Sequence, residues 1–92
     1  MTEPTFEAFV AAAKERGYDE FLVREWAPGQ ATGEHTHPFD ATLRVVRGTL
    51  RFECAGTSRD LAAGDGCDVT RAAVHAETYG PEGATLWVAR RN

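Results

Sequence analysis

The sequence has little of what membrane-spanning, secreted and nucleic-acid-binding proteins require. Its longest aliphatic run, residues 9–13 (FVAAA), is far shorter than a membrane span, and its N-terminus lacks the basic-then-apolar layout of a signal peptide. Fourteen acidic residues against ten basic ones give a net charge of −4, without a lysine or arginine cluster that would track phosphates. We therefore expect a cytoplasmic protein whose partners are neither nucleic acids nor membranes.

Cysteine and histidine are both scarce. The two cysteines, Cys54 and Cys67, are too few for a disulfide scaffold, and we expect both to be free thiols. No Cys-x2-Cys spacing indicates a zinc knuckle. With only three histidines in the chain, any imidazole metal site has to draw on His35, His37 and His75.

The chain length and the apolar periodicity indicate one small, mainly β domain. Ninety-two residues suit a single domain, 1–92, and no repeat, linker or low-complexity tract divides them. In residues 4–16 the apolar positions follow a helical period, and Gly17 provides a typical C-terminal stop. After this helix the apolar period changes to two, which is typical of strands.

Short β segments fill the remainder, from 21 to 90. Glycines at 48, 56 and 64 and the Gly-Pro-Glu-Gly cluster at 80–83 separate several of them. The pattern predicts an antiparallel barrel or sandwich. The predicted segments are 21–26, 34–37, 42–47, 49–54, 58–62, 66–69, 74–79 and 84–90.

The three histidines fall in two of these predicted segments. His35 and His37 are two residues apart, so on a strand both imidazoles point to one face. His75 lies in a separate predicted strand. Two adjacent imidazoles and a third from elsewhere in the chain form a common pattern of metal ligands, and we expect the three to share one ion.

The segment around His35 and His37 resembles the first motif of the cupins, G-x5-H-x-H-x3-E-x6-G. Four positions match, at Gly29, His35, His37 and Gly48. The motif's glutamate position falls on Ala41, so the carboxylate ligand that cupins usually have there is absent.

The segment before His75 resembles the second cupin motif, G-x5-P-x-G-x2-H-x3-N. Gly64 and His75 match it. Thr70 stands in place of the proline, Ala72 in place of the glycine and Tyr79 in place of the asparagine. These three changes flank the histidine and concern turn geometry more than metal binding.

The resemblance implies a small antiparallel cupin (jelly-roll-like) β-barrel over residues 21–90, with a short N-terminal helix. It also implies one divalent transition metal bound by His35, His37 and His75. Three-histidine cupins include thiol and diketone dioxygenases that use ferrous iron. Because imidazole suits several ions, Fe, Zn, Ni, Mn and Cu all stay open. Three neutral imidazoles leave the charge of the ion uncompensated, which favours an anionic or carbonyl-bearing ligand.

Two positions next to His75 are candidate catalytic residues. Glu77 and Tyr79 share its face if the segment is a strand. Glu77 would supply the missing carboxylate as a ligand or act as a general base, or else be an ordinary glutamate at the rim. Asp40 is the alternative carboxylate, if a bulge turns it inward. Tyr79 would donate a hydrogen bond to a bound anion, or only pack in the core.

Two functions are consistent with these features. The first is a small metal-dependent enzyme, an oxygenase or an isomerase or lyase, acting on a small carbonyl or carboxylate compound. The second is a non-catalytic module that binds a metal or small ligand for sensing or storage. Sheet edges and apolar strands also lead us to expect a homodimer.

Overall fold

A computed structural model describes residues 5–92 as one short helix and five strands. Pro4, the first residue of the predicted helix, lies outside the described residues. Within them no helix has the length and apolar character needed to cross a membrane. The elements are α1 (Phe6–Glu15), β1 (Glu20–Trp26), β2 (Asp40–Cys54), β3 (Thr57–Ala62), β4 (Gly66–Val69) and β5 (His75–Arg91).

Helix α1 begins and ends for local reasons. The Thr5 side chain caps its N-terminus by accepting a hydrogen bond from the backbone N–H of Ala8 at 3.1 Å. At the other end Gly17 follows with φ of 91°, a left-handed conformation that favours glycine. Ala13 is buried against Tyr18 and Ala89, so the helix covers the outer face of the sheet at β5.

The strands form one antiparallel sheet in the order β1-β5-β2-β3, with β4 paired to β2 beside β3. The two long strands, β2 and β5, pair along most of their length and take part in both halves of the sheet. The expected mainly β, jelly-roll-like fold is confirmed, although among residues 5–92 the sheet does not close into a complete barrel.

The strand predictions are wrong in three places. The segments 42–47 and 49–54 form one strand, β2, and the segments 74–79 and 84–90 form one strand, β5. The glycines between them bend the long strands without ending them. Segment 34–37 is not a strand, because its pairing there is limited to an isolated bridge from His35 to His75.

The bend of β2 and β5 occurs at Gly48, where the two strands change register. Gly48 has φ of 81°, and a Cβ there would overlap the carbonyl group of Gly83 on β5. Only glycine allows this close approach of two backbones. The bend folds the halves of the sheet over each other, so their inner faces enclose the core.

The core lies between the two halves and is built from alternate residues of each strand. Cys54 and Cys67 pack against it as free thiols, and burial raises the pKa of Cys67 to about 11. The expectation of free cysteines is therefore confirmed. The buried members of the core are Leu43, Val45, Leu50, Phe52, Leu61, Val69, Tyr79, Ala84 and Leu86.

Candidate metal centre

The backbone brings the two histidine segments together. His35 lies in the connection between β1 and β2, and His75 is the first residue of β5. The two residues exchange backbone hydrogen bonds, from His35 N to His75 O at 2.9 Å and from His75 N to His35 O at 3.0 Å. This one bridge fixes the distance between the first and the last of the three histidines.

The three imidazoles converge on one point. The ring centroids of His35 and His37 are 4.8 Å apart, those of His35 and His75 are 4.2 Å apart, and those of His37 and His75 are 5.1 Å apart. One nitrogen from each ring lies within 4.8 Å of the others. The predicted grouping is thus present in the fold, although strand alternation at 34–37 is not its cause.

Carbonyl groups orient two of the rings. His35 Nδ1 lies 2.7 Å from the carbonyl oxygen of Gly33, and His75 Nδ1 lies 3.0 Å from that of Ala73. A carbonyl oxygen can only accept a hydrogen bond, so each Nδ1 must carry the proton. In a neutral imidazole with its proton on Nδ1, Nε2 has the lone pair that a metal ion needs. A hydrogen bond from the outer ring nitrogen to a carbonyl is the usual support of a metal-binding histidine.

The surroundings of the third ring, His37, favour its uncharged form. Burial lowers the pKa of His37 below its ordinary value, with further contributions from His35, His75 and the nearby Arg90 guanidinium. Its ring stacks on Phe39, with centroids 4.8 Å apart and an angle of 13° between the planes. A neutral, oriented imidazole is the form that binds a metal ion.

Glu77 adds a carboxylate to the three imidazoles. Its Oε2 lies 3.5 Å from His35 Nε2 and 3.9 Å from His75 Nε2. The Thr32 hydroxyl donates to the same oxygen at 3.4 Å, and the Tyr79 hydroxyl donates to Oε1 at 3.1 Å. Since only 9% of Glu77 is exposed, these contacts rather than solvent surround the carboxylate.

Asp40, the alternative carboxylate, is occupied elsewhere. Its Oδ2 accepts hydrogen bonds from the Arg91 guanidinium at 2.8 and 3.2 Å, and its Oδ1 accepts one from the backbone N–H of Arg71 at 2.7 Å. The strand bulges lie further along β2 and do not turn Asp40 inward. Ala41, at the vacant glutamate position, does line the cavity beside the histidines.

Tyr79 lies behind Glu77. It is 2% exposed, its ring stacks on Trp26 with centroids 4.6 Å apart, and it is not among the residues that line the cavity. Burial, together with the adjacent Glu77 carboxylate, raises the pKa of Tyr79. The phenol therefore keeps its proton and donates a hydrogen bond to Glu77 Oε1. Its position allows contact with Glu77 and leaves no direct contact with a ligand in the cavity.

The donor set fits a divalent transition metal. Nitrogen ligands about 2.1 Å from a tetrahedral ion lie about 3.4 Å from one another. The observed limit of 4.8 Å between the ring nitrogens is wider, so the rings would have to close by about 1 Å around an ion. Carbonyl groups accept hydrogen bonds from Nδ1 of two of the rings, and a lowered pKa favours the neutral form of the third, His37. The Glu77 carboxylate lies within reach as a fourth donor.

A cavity of about 120 Å³ opens beside the three histidines. Four polar residues that line it were not predicted from the sequence: Thr32, Arg24, Trp26 and Arg90. Arg24 and Trp26 alternate on β1 with the outward-facing residues, so the period of two in 21–26 contained the signal for both. Arg90 continues the series of inward-facing residues of β5. The change of register at Gly80–Gly83 alters which residues of this strand face inward, so the sequence alone does not show that Arg90 is one of them.

Solved structures show that the fold is that of the cupins. An RmlC-like cupin from Shewanella frigidimarina superposes with a TM-score of 0.67 and 24% identity, over 79% of this chain and 68% of that chain. KdgF from Halomonas sp. gives a TM-score of 0.68 and 20% identity, over 78% of this chain and 67% of that chain.

A third similar structure belongs to a set of DMSP lyases, RdDddP and RnDddQII. It gives a TM-score of 0.72 and 26% identity over 78% of this chain, but this chain spans only 37% of that one. No family model and no curated protein matches the sequence. The likeness to solved structures identifies the architecture, and the chemistry has to be argued from the residues of the site.

Proposed function

We propose that this small cupin domain binds one divalent transition metal through His35, His37 and His75, with Glu77 as a neighbouring carboxylate. The observation that carries the proposal is the convergence of three imidazoles, two of them held by a hydrogen bond between Nδ1 and a carbonyl group. Three protein ligands that leave further positions open are typical of catalytic rather than closed structural metal sites. Fe, Zn, Ni, Mn and Cu are the candidate ions.

We further propose that the site is enzymatic and acts on a small carbonyl or carboxylate compound, as an oxygenase or as an isomerase or lyase. The metal would supply Lewis acidity or redox chemistry at the cavity end formed by the histidines. Glu77 is the residue placed to hold or move a proton, at Oε2, beside His35 and His75. Tyr79 is a positioning residue, since it fixes Oε1 of that carboxylate.

The metal site is tested by elemental analysis of the purified protein. We expect about one metal ion per chain in the wild type and a loss of metal from the His35→Ala/His37→Ala variant. Glu34→Ala is the matched control, because Glu34 is an exposed residue of the same connection. Equal metal content in the wild type and the double variant would contradict the proposal.

The enzymatic function is tested after the metal has been removed with a chelator and replaced. Oxygen consumption by the ferrous protein is measured with small thiols and diketones, and isomerase and lyase activity is measured with small hydroxy and oxo acids. Turnover that depends on both the metal and Glu77 supports the enzyme. Metal binding without turnover across these substrates would instead support the second candidate, a sensor or storage module.

The small cavity is the observation that favours this second candidate. Ligand pockets are usually about 300–1,000 Å³, whereas this one measures about 120 Å³. A sensor or storage module needs little more than the metal centre itself.

The homodimer and the cytoplasmic location stay predictions. Strand β1 pairs with β5 on one side and, among residues 5–92, has an open edge on the other, and its Val23 is 48% exposed, so a second copy would meet a strand edge and an apolar side chain. Light scattering during size-exclusion chromatography at two protein concentrations tests the dimer. Fractionation of expressing cells tests the location.

A further inference from the structure

The connection between β1 and β2 runs antiparallel along the first residues of β5 with an irregular register. Two isolated bridges join them, from Ala31 to Thr78 and from His35 to His75. Ala31 and His35 are four residues apart in the chain, whereas Thr78 and His75 are three apart. The connection therefore contains one extra residue between the bridges. Such bulges bend a strand locally and re-aim a side chain, and they are frequent next to active sites.

Thr32, the residue after the first bridge, compensates for this irregularity. Its backbone N–H donates to the carbonyl oxygen of Glu77 at 2.9 Å. In return the backbone N–H of Glu77 donates to the Thr32 hydroxyl at 3.0 Å, where a regular ladder would have a carbonyl oxygen. The side chain thus takes the place of a backbone acceptor. Two hydrogen bonds fix Thr32 to the backbone of Glu77.

The proton of the Thr32 hydroxyl is directed at the carboxylate of the same glutamate. A hydroxyl group can accept and donate hydrogen bonds at the same time. Because the Thr32 oxygen accepts from the Glu77 N–H, its own proton stays available, and it donates to Glu77 Oε2 at 3.4 Å. Thr32 lines the cavity together with His35 and His75. Its hydroxyl therefore holds the carboxylate oxygen that lies nearest the histidines.

The two oxygens of the Glu77 carboxylate have different surroundings. Oε1 accepts the hydrogen bond from the Tyr79 hydroxyl at 3.1 Å. Oε2 lies 3.5 Å from His35 Nε2 and 3.9 Å from His75 Nε2. Since ligand atoms of a tetrahedral ion lie about 3.4 Å from one another, Oε2 is already close to ligand spacing from both nitrogens. The carboxylate is thus held so that one oxygen, and not both, faces the imidazoles.

We propose that Thr32 is a positioning residue that makes Glu77 a donor of one oxygen, Oε2, to the metal centre. Thr32 fixes Oε2 beside His35 and His75, while Tyr79 retains Oε1. Glu77 then supplies from β5 the carboxylate that position 41 lacks. This role is defined by the ion, so it rests on the proposed metal centre.

The role of Thr32 is tested by measuring zinc affinity through competition with a chromogenic chelator at constant pH. Thr32→Val removes the hydroxyl and keeps the shape of the side chain, and we expect it to weaken zinc binding about tenfold or more. Thr32→Ser keeps the hydroxyl and should stay within about threefold of the wild type. Thr36→Val is the matched control, because it makes the same exchange at an exposed position of the same connection. It should bind zinc as the wild type does.

The same exchange in a Glu77→Gln background separates positioning from a structural role. If Thr32 acts through the Glu77 carboxylate, Thr32→Val should change the zinc affinity of Glu77→Gln by less than about twofold. A structural role, in which loss of the hydroxyl displaces His35, would instead weaken zinc binding equally in both backgrounds. Thermal unfolding of the metal-free variants shows whether each one is folded, and Thr32→Ala is the second variant if Thr32→Val is not.

The outcomes distinguish the role of Thr32 from the metal centre itself. Wild-type zinc affinity in the folded variant without the hydroxyl, or an equal loss in both backgrounds, would overturn the positioning role and leave the metal centre standing. A wild type that binds no zinc would overturn the metal centre, and the role of Thr32 with it.

Discussion

The Tyr79 hydroxyl donates a hydrogen bond to Glu77 Oε1 at 3.1 Å, from two residues further along the same face of β5. A residue without contact to the cavity thereby sets the orientation of the carboxylate nearest the three imidazoles. The same tyrosine ring packs against Trp26 in the core. The core and the candidate metal centre are thus connected through one side chain.

Replacing Tyr79 by phenylalanine is expected to weaken metal binding without unfolding the protein. Tyr79→Phe removes the donor to Glu77, and loss of such a supporting hydrogen bond typically costs about tenfold to a hundredfold in metal affinity. The ring still stacks on Trp26. Competition with a chromogenic chelator measures the affinity, and thermal unfolding of the metal-free protein measures stability. An unchanged metal affinity would show that Glu77 does not need this support.

A glutamate at position 41, where cupins usually have one, is expected to replace the Glu77 carboxylate in part. Glu77→Gln should reduce metal affinity about tenfold or more, since Glu77 is the only acidic residue among residues 5–92 that lines the cavity. Because Ala41 lines the same cavity, the double variant Glu77→Gln/Ala41→Glu should recover part of this loss.

The measurement for this pair is again chelator competition, with Asp40→Asn as the control. Asp40 is adjacent to Ala41, but its carboxylate is bound to Arg91 and not to the site. Its removal should therefore leave metal affinity unchanged. A double variant no better than Glu77→Gln alone would mean that a carboxylate at 41 does not reach the ion.

Alanine at Gly48 is expected to be far more costly than alanine at Gly56. Both glycines have φ near +80°, at 81° and 79°, so either substitution forces a left-handed alanine at about 1–2 kcal/mol. At Gly48 the new Cβ would also overlap the carbonyl group of Gly83, whereas at Gly56 it meets open space. We expect Gly48→Ala to lower the free energy of unfolding by about 3 kcal/mol or more.

Urea unfolding of Gly48→Ala, Gly56→Ala and the wild type measures this difference at the bend. Similar midpoints for the two variants would show that the approach of β2 to β5 relaxes easily. A large loss at Gly48 alone would show that the bend between the two halves of the sheet is specified at this position.

Asp40 is expected to stabilise the folded protein at neutral pH and to lose this effect in acid. Hydrogen bonds from Arg91, then from the Arg71 backbone, hold the pKa of Asp40 below its ordinary value in the folded protein. A carboxyl whose folded pKa is lowered stabilises the fold above its unfolded pKa, and this stabilisation is lost as the pH falls through the folded pKa.

Thermal unfolding between pH 7 and about pH 2 tests this contribution. The melting temperature of the wild type should fall more steeply with acid than that of Asp40→Asn, and the two should approach each other at the lowest pH. Asp60→Asn, on the exposed face of β3, is the control and should follow the wild type. Parallel curves for wild type and Asp40→Asn would contradict the assignment.

What the sequence determined by itself was the type of the main elements and the three histidines of the candidate metal site. The helical period in 4–16, the period of two after it and the scarcity of histidine are local properties, readable without knowing how the chain folds. Spacing around His35, His37 and His75 pointed to the cupin architecture that solved structures then confirmed.

Tertiary structure decided how these pieces meet. Gly48 and the glycines at 80–83 are typical turn signals, yet pairing along both long strands keeps β2 and β5 continuous through them. Asp40 is bound by Arg91 and the Arg71 backbone instead of lining the cavity, and both are remote from it in sequence and adjacent only in the fold. Arg90 faces the cavity because register shifts set its side of β5. Such register shifts arise from contacts between distant segments, and no local sequence pattern contains them.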